Sequence, residues 1–352
     1  MVCHDEVTSR VESIGSYLPS RIVTNDELVA GMAHPPGLDI QKVTGIERRR
    51  VYDRDAQPPE DSLSMALRAA RTALERSEYD AADLDVIVSC SITRFRDGDT
   101  LCFEPSFALS IKNDLGAERA IHFDVSNACA GMLTGVLVVD AMIRSGAVRR
   151  GLVVSGERIT PIAETAVIEI ADRYDPQFAS LTVGDAAAAV ILDNRGTDDD
   201  RIEYIELMTC SKYSDLCIGT ASEQGPRVAL YTDNRAMHNA DRYRLWTTRQ
   251  RDFLDSRGSS FAAEEFDFIV HHQFSKPAAD VINALATQEF DAEIPTSLDV
   301  LTDYGNTAST SHFVVLDHYL RRGDIPAGSK LLLVPAASGV VAGYLSLTLG
   351  EV

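Results

Sequence analysis

The sequence predicts an α/β layered fold made of two similar halves. Apolar strand-like runs alternate with helix-patterned ones. The same motifs recur in the same order at matched spacings. The 352 residues suffice for one large α/β domain or two ordinary ones, with a substantial buried core. In chain order, SLSMALRAARTALERS (62–77) sets Leu63, Ala66, Leu67, Ala70 and Leu74 on one helical face. VIVSCSI (86–92), GLVVSGE (151–157), AAAAVILD (186–193) and FDFIVHH (266–272) read as strands, mostly apolar throughout, as in a sheet covered on both faces. The acidic stretch DNRGTDDDR (193–201) has no periodicity and reads as the linker between halves, 1–193 and 202–352. Leu331 to Gly350 is twenty residues without a charge, but Pro335, Ser338, Gly339 and Gly343 divide it, so it reads as two buried strands around a glycine turn and not as a membrane span.

The internal repeat rests on spacing. Cys129 is followed by Asp140 after 11 residues and by Gly146 after 17; Asn306 is followed by Asp317 after 11 and by Gly323 after 17. Both intervals read as a helix stopped by glycine. Upstream, LDVIVSC (84–90) matches FDFIVHH (266–272), which sets Cys90 opposite His272. On this register Asn306 occupies the place of Cys129.

Composition excludes several classes. With 53 acidic and 33 basic residues the net charge is −20, which repels nucleic-acid phosphates and requires a local basic patch for any anionic substrate. Six cysteines without C-x-x-C spacing or a Cys/His cluster imply neither a zinc site nor a disulfide scaffold, and fit reduced thiols in the cytoplasm. The N-terminus MVCHDEVTSR lacks the basic and apolar regions of a secretory signal.

The chemistry centres on HFDVSNACAGMLTGVLVVDAMIRSG (122–146). A strand runs into the small-residue turn Ser126-Asn127-Ala128, and Cys129 opens a helix. A thiol at a helix start meets free N–H groups and the positive dipole end, which favour thiolate. Ala130 and Gly131 leave room beside the sulfur. The competing reading is a small cysteine buried at a strand–helix junction. A cysteine nucleophile needs a base and donors for developing negative charge. His272 ends a strand, where site residues of α/β folds emerge, although a lone histidine is usually a satisfied core residue. Asn306, in DYGNTAST, offers an amide donor or a helix cap. Gly339, in SGVVAG, can direct its N–H into a cleft.

These residues resemble the ketoacyl synthase III group of condensing enzymes, within the thiolase-fold superfamily. VESIGSYLPSRIVTNDEL (11–28), TGIERRRV (44–51), EPSFALSIKNDLG (104–116), DVSNACAG (124–131), GDAAAAVIL (184–192), HHQFS (271–275) and GNTAS (305–309) follow in that family's order. The resemblance implies a five-layer α-β-α-β-α fold and a homodimer. It implies acylation of Cys129 by a thioester, with His272 and Asn306 binding the carbonyl of a second thioester and stabilising the enolate. The N–H groups of Cys129 and Gly339 would form the oxyanion hole. No tightly bound cofactor or metal is implied; the substrate is an acyl-CoA or acyl-carrier-protein thioester.

Departures bear on the substrate. The Trp and Arg with which relatives grip coenzyme A, just before TGI, are absent from GLDIQKV, where Asp39 and Val43 stand; DPQFAS (175–180) has no Arg; and the single Trp, Trp246, lies elsewhere. Glu104 replaces the aromatic residue that relatives send into the partner's acyl pocket, as a polar pocket residue, a base or a surface carboxylate. RYRLWTTRQR (242–251) carries Arg242, Arg244, Arg249 and Arg251 without an acid, and with Lys276 it reads as a dock for a carrier protein or pantetheine phosphate, or as a solvated helix face. Three functions follow: condensation of an acyl thioester with a malonyl-type or second acyl thioester; acyl transfer from Cys129 to an alcohol or amine, in which Asn306 is dispensable; and a catalytically dead acyl-binding scaffold, which the intact Cys–His–Asn set disfavours.

Overall fold

A computed structural model describes residues 7–35, 37 and 39–352; the N-terminal reading and Cys3 fall outside the described residues. Two main sheets carry the structure. The first contains β1 (Arg10–Tyr17), β2 (Val86–Ser89), β3 (Ile121–Asp124), β4 (Arg150–Glu157) and β5 (Ala186–Asp193), in the order β1-β5-β4-β2-β3. The second contains β6 (Arg201–Thr209), β7 (Phe268–His271), β8 (Thr296–Ser297), β9 (Ser329–Val334) and β10 (Val341–Leu349), in the order β6-β10-β9-β7-β8. The two orders are the same permutation. In each sheet the first two pairings are antiparallel and the last two parallel. Even a register shift recurs at the third residue of the first strand, between Val11 and Ser13 and between Ile202 and Tyr204. Irregularities of this kind set local twist, so their recurrence marks a duplicated design.

Alternation along the strands builds five layers. The helices are α1 (Ser62–Arg76), α2 (Phe107–Leu115), α3 (Gly131–Arg144), α4 (Ala240–Ser256), α5 (Lys276–Phe290) and α6 (Ser311–Arg322). Ile87, Leu152, Val154 and Ile191 face α1 and α2, against Met65, Ala69, Phe107 and Ile111. Their neighbours Val86, Val88, Val153 and Val190 face the middle layer, where α3 and α6 supply Leu133, Val136, Phe313 and Val314. Leu331, Leu333 and Leu345 close that layer from the other side. Leu332, Val334 and Tyr344 turn outward to Trp246 of α4 and Ile282 of α5. Because α3 and α6 are covered on both sides, their apolar residues are not confined to one stripe. No helix among the described residues is long and apolar enough to cross a membrane, and the 331–350 segment forms β9 and β10, as its glycines and proline require.

The acidic stretch at 193–201 connects β5 of the first sheet to β6 of the second, and it is tied down by charge. Asp193 is fully buried, and Arg10 bridges it to Asp200: Nε lies 3.0 Å from Asp193 Oδ1 and Nη1 3.0 Å from Asp200 Oδ2. The Tyr79 hydroxyl also donates to Asp193, at 2.9 Å. Arg10 of β1 thus holds two acids of the stretch, and Arg201 pairs with a third, Asp198. Arg10→Met leaves Asp193 buried without its counter-ion, and is expected to cost about 3 kcal/mol of stability in urea unfolding; a change within experimental error would contradict this role.

Candidate active site

Four segments meet where the carboxyl ends of the parallel strands approach the starts of α3 and α6. Ahead of α3, residues Ala128–Ala130 form one short 3-10 turn, opened by Ala128 at φ 45°. Ahead of α6, Ala308–Thr310 form another, opened by Ala308 at φ 53°. A left-handed alanine is uncommon, and its recurrence fixes the repeat register. The structural counterpart of Cys129 is therefore Ser309, not Asn306, which lies three residues upstream. The spacing argument misplaced it because α3 has 14 residues and α6 has 12, and Ser145 separates α3 from Gly146 whereas Gly323 follows α6 directly, so matching the glycines shifts the helix starts by three. The other pairing holds. Cys90 and His272 each follow the last residue of a parallel strand, and their N–H groups donate to Val154 O at 2.8 Å and Val334 O at 3.0 Å.

Cys129 touches two small apolar clusters. One contains Ile159, Ile162, Ala163, Val183 and Ala308, with Leu230 at its edge; the other contains Ala130, Ala337 and Val341. Its neighbours therefore come from both halves. Gly131 does not open space for an acyl chain: a Cβ there would lie 2.8 Å from Cys90 O, so the glycine serves close helix–strand packing. The apolar cluster on which Cys129 packs is instead built of Ile159, Ile162, Ala163, Val183 and Ala308.

The thiol is not pre-ionised. Burial, then the neighbouring Cys217 and Glu157, push it up to about 12, against only the small downward pull of its own backbone N–H. The turn supplies few aligned donors to the sulfur, so desolvation prevails over the helix start. The His272 imidazole is pushed down to about 3 by burial and by His312, whose ring stacks 6.1 Å away. Both side chains are thereby favoured in their neutral forms. Nδ1 of His272 is buried without a partner. His312 Nε2 lies 3.1 Å from Val334 O, to which it donates.

Asn306 is held through its backbone. Its N–H donates to Thr182 O at 2.8 Å, and its carbonyl accepts from Gly184 N–H at 2.9 Å. Its Oδ1 accepts from Ala308 N–H at 3.0 Å, so the side chain caps the short turn and keeps its amide N–H groups as donors. Both flanking glycines are required sterically: a Cβ on Gly184 would sit 2.1 Å from Tyr304 O, and Gly305 has φ 69°. Gly339 has φ 117° in the β9–β10 connection, beside the Ala337 that packs on Cys129.

Two groups escaped the sequence analysis. The buried Glu157 ends β4 and accepts from Ile92 N–H (2.9 Å), Thr93 N–H (3.1 Å), the Ser155 hydroxyl (3.0 Å) and the Ser309 hydroxyl (2.5 Å). A carboxylate closing the apolar run GLVVSGE was the available signal. Phe274 stacks on His272 with centroids 6.1 Å apart, and nothing in HQFS announced that.

The four arginines of α4 do not form one basic patch. Arg242 is buried; Arg249 pairs with Glu206 at 2.5 Å; Arg251 pairs with Glu289 and Asp252; Arg242 and Arg244 have no ion pair among the described residues. Helical steps of 100° put Arg242 and Arg249 on one face and Arg244 and Arg251 on the other, and acids on β6 and α5, distant in sequence, neutralise Arg249 and Arg251. Lys276 pairs with Asp299 at 2.9 Å. Trp246 is buried in the α4–α5 layer, and Asp39 caps the helix Ile40–Thr44, so neither is free for a nucleotide. Glu104 lies exposed next to Phe103, which is 72% exposed.

This arrangement belongs to a class of acyl-transferring, thiolase-fold condensing enzymes. Residues 123–211 match the family model for 3-oxoacyl-[acyl-carrier-protein] synthase III, and residues 257–349 match its C-terminal model. A Cereibacter sphaeroides beta-ketoacyl-[acyl-carrier-protein] synthase III is 30% identical over 344 residues, covering 96% of this chain and 98% of its own. Among solved structures, the priming beta-ketosynthase of the R1128 polyketide pathway is 26% identical, with a TM-score of 0.79 over 99% of this chain and 98% of its own. Xanthomonas campestris OleA, crystallised with lauric acid and lauroyl-CoA, has a TM-score of 0.81 at 22% identity over 97% of this chain and 99% of its own, a likeness of fold. The chain belongs to the 3-oxoacyl-[acyl-carrier-protein] synthase III family.

Two outcomes are expected. Alkylation of Cys129 by iodoacetamide in the free protein, read by peptide mass spectrometry, should rise with pH from 6 to about 9 without levelling off, as a thiol with a raised pKa requires; a plateau below neutrality would mean a pre-formed thiolate. Gly184→Ala should displace the Asn306 backbone and lower kcat by about 100-fold; near-normal turnover would show the loop to be tolerant.

Proposed function

We propose that Cys129 accepts an acyl group from a thioester and passes it to a carbon nucleophile. The thiol attacks the thioester carbonyl, a new thioester forms at Cys129, and the departing donor thiolate takes the proton. The N–H groups of Cys129 and Gly339 hold the oxyanion. His272 and Asn306 bind the carbonyl of a malonyl-type or second acyl thioester. Loss of carbon dioxide, or of a proton, gives an enolate that attacks the acyl carbon; the Cys129 thiolate leaves and a 3-oxoacyl product results. The observation that carries this reading is the packing of Cys129 against both the Ala308 turn and the Ala337 segment, each next to one of the proposed donors. Neutral His272 suits donation to an enolate oxygen.

The donor fits a carrier-protein thioester better than coenzyme A, since Trp246 and Asp39 are committed to structure. We assign the halves to 1–193, with the cysteine, and 202–352, with the histidine and asparagine. A cytoplasmic homodimer fits an open sheet edge at β3, where Ile121 is exposed, and the exposed Phe103–Glu104 loop. In such a dimer Glu104 would reach the partner's acyl pocket. Fatty-acid-like or polyketide metabolism is the setting this chemistry serves.

The test is a radiolabelled acyl thioester, followed by malonyl carrier protein or a small alcohol. Label should appear on the Cys129 peptide, and carbon dioxide should be released with a ketoacyl product. Asn306→Ala should retain labelling and lower condensation by at least about 100-fold. An ester product unaffected by Asn306→Ala would establish simple acyl transfer instead, and full turnover by Cys129→Ala would refute both.

A further inference from the structure

Arg242 is a buried cation without a partner. It is 8% exposed, and its Nε and Nη1 lack hydrogen-bond partners. Among the described residues it makes no ion pair; the nearby Asp233 is engaged in capping Ala236 N–H at 2.9 Å. Its guanidinium lies 5.6 Å from the Tyr213 ring centroid, near Cys210 and His238. Holding these two N–H groups from water without a partner is costly, and a bound anion would relieve it.

Its position connects to the proposed reaction centre from two sides. Tyr213 N–H donates to Cys210 O at 2.9 Å, and Cys210 N–H donates to Val340 O at 2.7 Å, one residue beyond Gly339. On the other side the His238 ring stacks on Phe274 at 5.8 Å, and Phe274 stacks on His272 at 6.1 Å. His238 is exposed and Cys210, Tyr213 and Phe274 are partly exposed, so water reaches the groups around the buried Arg242.

We propose that Arg242 binds a carboxylate carried on the acyl group of a thioester substrate, making the enzyme selective for dicarboxylic monothioesters. The inference rests on the thioester reading above. An arginine pair holds charge on the carboxylate, whereas decarboxylation needs that charge to move onto carbon. The bound carboxylate is therefore one that survives the reaction, not the one lost from a malonyl unit.

The test uses the full chain bearing Cys129→Ala, so that nothing is acylated, and phosphate-free probes. S-succinyl- and S-butyryl-N-acetylcysteamine are titrated calorimetrically, as are the glutaryl and pentanoyl pair. In at least one pair the carboxylated probe should bind about tenfold or more tightly. Arg242→Gln should reduce that ratio to within about twofold, and Arg242→Lys should restore part of it. Equal affinities in both pairs would overturn the proposal. So would a loss in Arg242→Gln that appears only with coenzyme A thioesters and is the same for both acyl groups, which would identify phosphate as the ligand. Arg242→Met should raise the urea midpoint, since it removes an unpaired buried charge; a clear fall would identify a structural arginine and also overturn the proposal. Because the probes bind a chain without Cys129, these results stand apart from the acyl-enzyme reading, which is tested by labelling of the wild-type cysteine and by turnover of Cys129→Ala.

Discussion

The Glu157 carboxylate is the constraint on which the site depends. It closes β4 in the first half and accepts the Ser309 hydroxyl from the helix-start turn of the second. Burial pushes its carboxyl up, and donors from Ile92, Thr93, Ser155 and Ser309 draw it back. A buried acid so surrounded is costly to break and fixes the groups around it. It sets the Ala308 turn against the Ala128 turn, and with them the distance between residues from the two halves. The same negative group disfavours a thiolate at Cys129. Geometry is thus secured at the expense of a resting nucleophile, and ionisation is left to the arrival of the thioester.

Duplication supplies the frame, and divergence at equivalent positions supplies the chemistry. One strand end carries Cys90, sealed under α3 so closely that a Cβ on Gly135 would lie 2.6 Å from its sulfur; the equivalent end carries His272. One left-handed alanine precedes Cys129; the other precedes Ser309, which binds Glu157 instead of a substrate. Each half has kept the backbone device and surrendered one of the two roles to its counterpart.

Much of this was legible in the chain. Continuous apolar runs announced strands covered on both sides, and the repeat and motif order pointed to Cys129, His272 and Asn306 before any coordinates. What was hidden depended on contacts between distant segments. Arg10 neutralises an acidic stretch over 180 residues away in sequence. Glu206 and Glu289 neutralise the arginines of α4, and the surrounding core desolvates Cys129 more strongly than the helix start can offset. The exchange of Asn306 for Ser309 in the repeat arose from helices of unequal length. In these cases local pattern named the residue, but its charge state, its partner or its place in the repeat was set by packing.

The most direct measurement is a crystal structure of the acyl-enzyme. The account requires the acyl group on Cys129, its carbonyl oxygen about 2.7–3.1 Å from the N–H groups of Cys129 and Gly339, and His272 and Asn306 side chains facing the space in front of the acyl carbon. An acyl group on another cysteine, or a Cys129 adduct with its carbonyl turned away from Gly339 and with His272 and Asn306 out of reach, would contradict it.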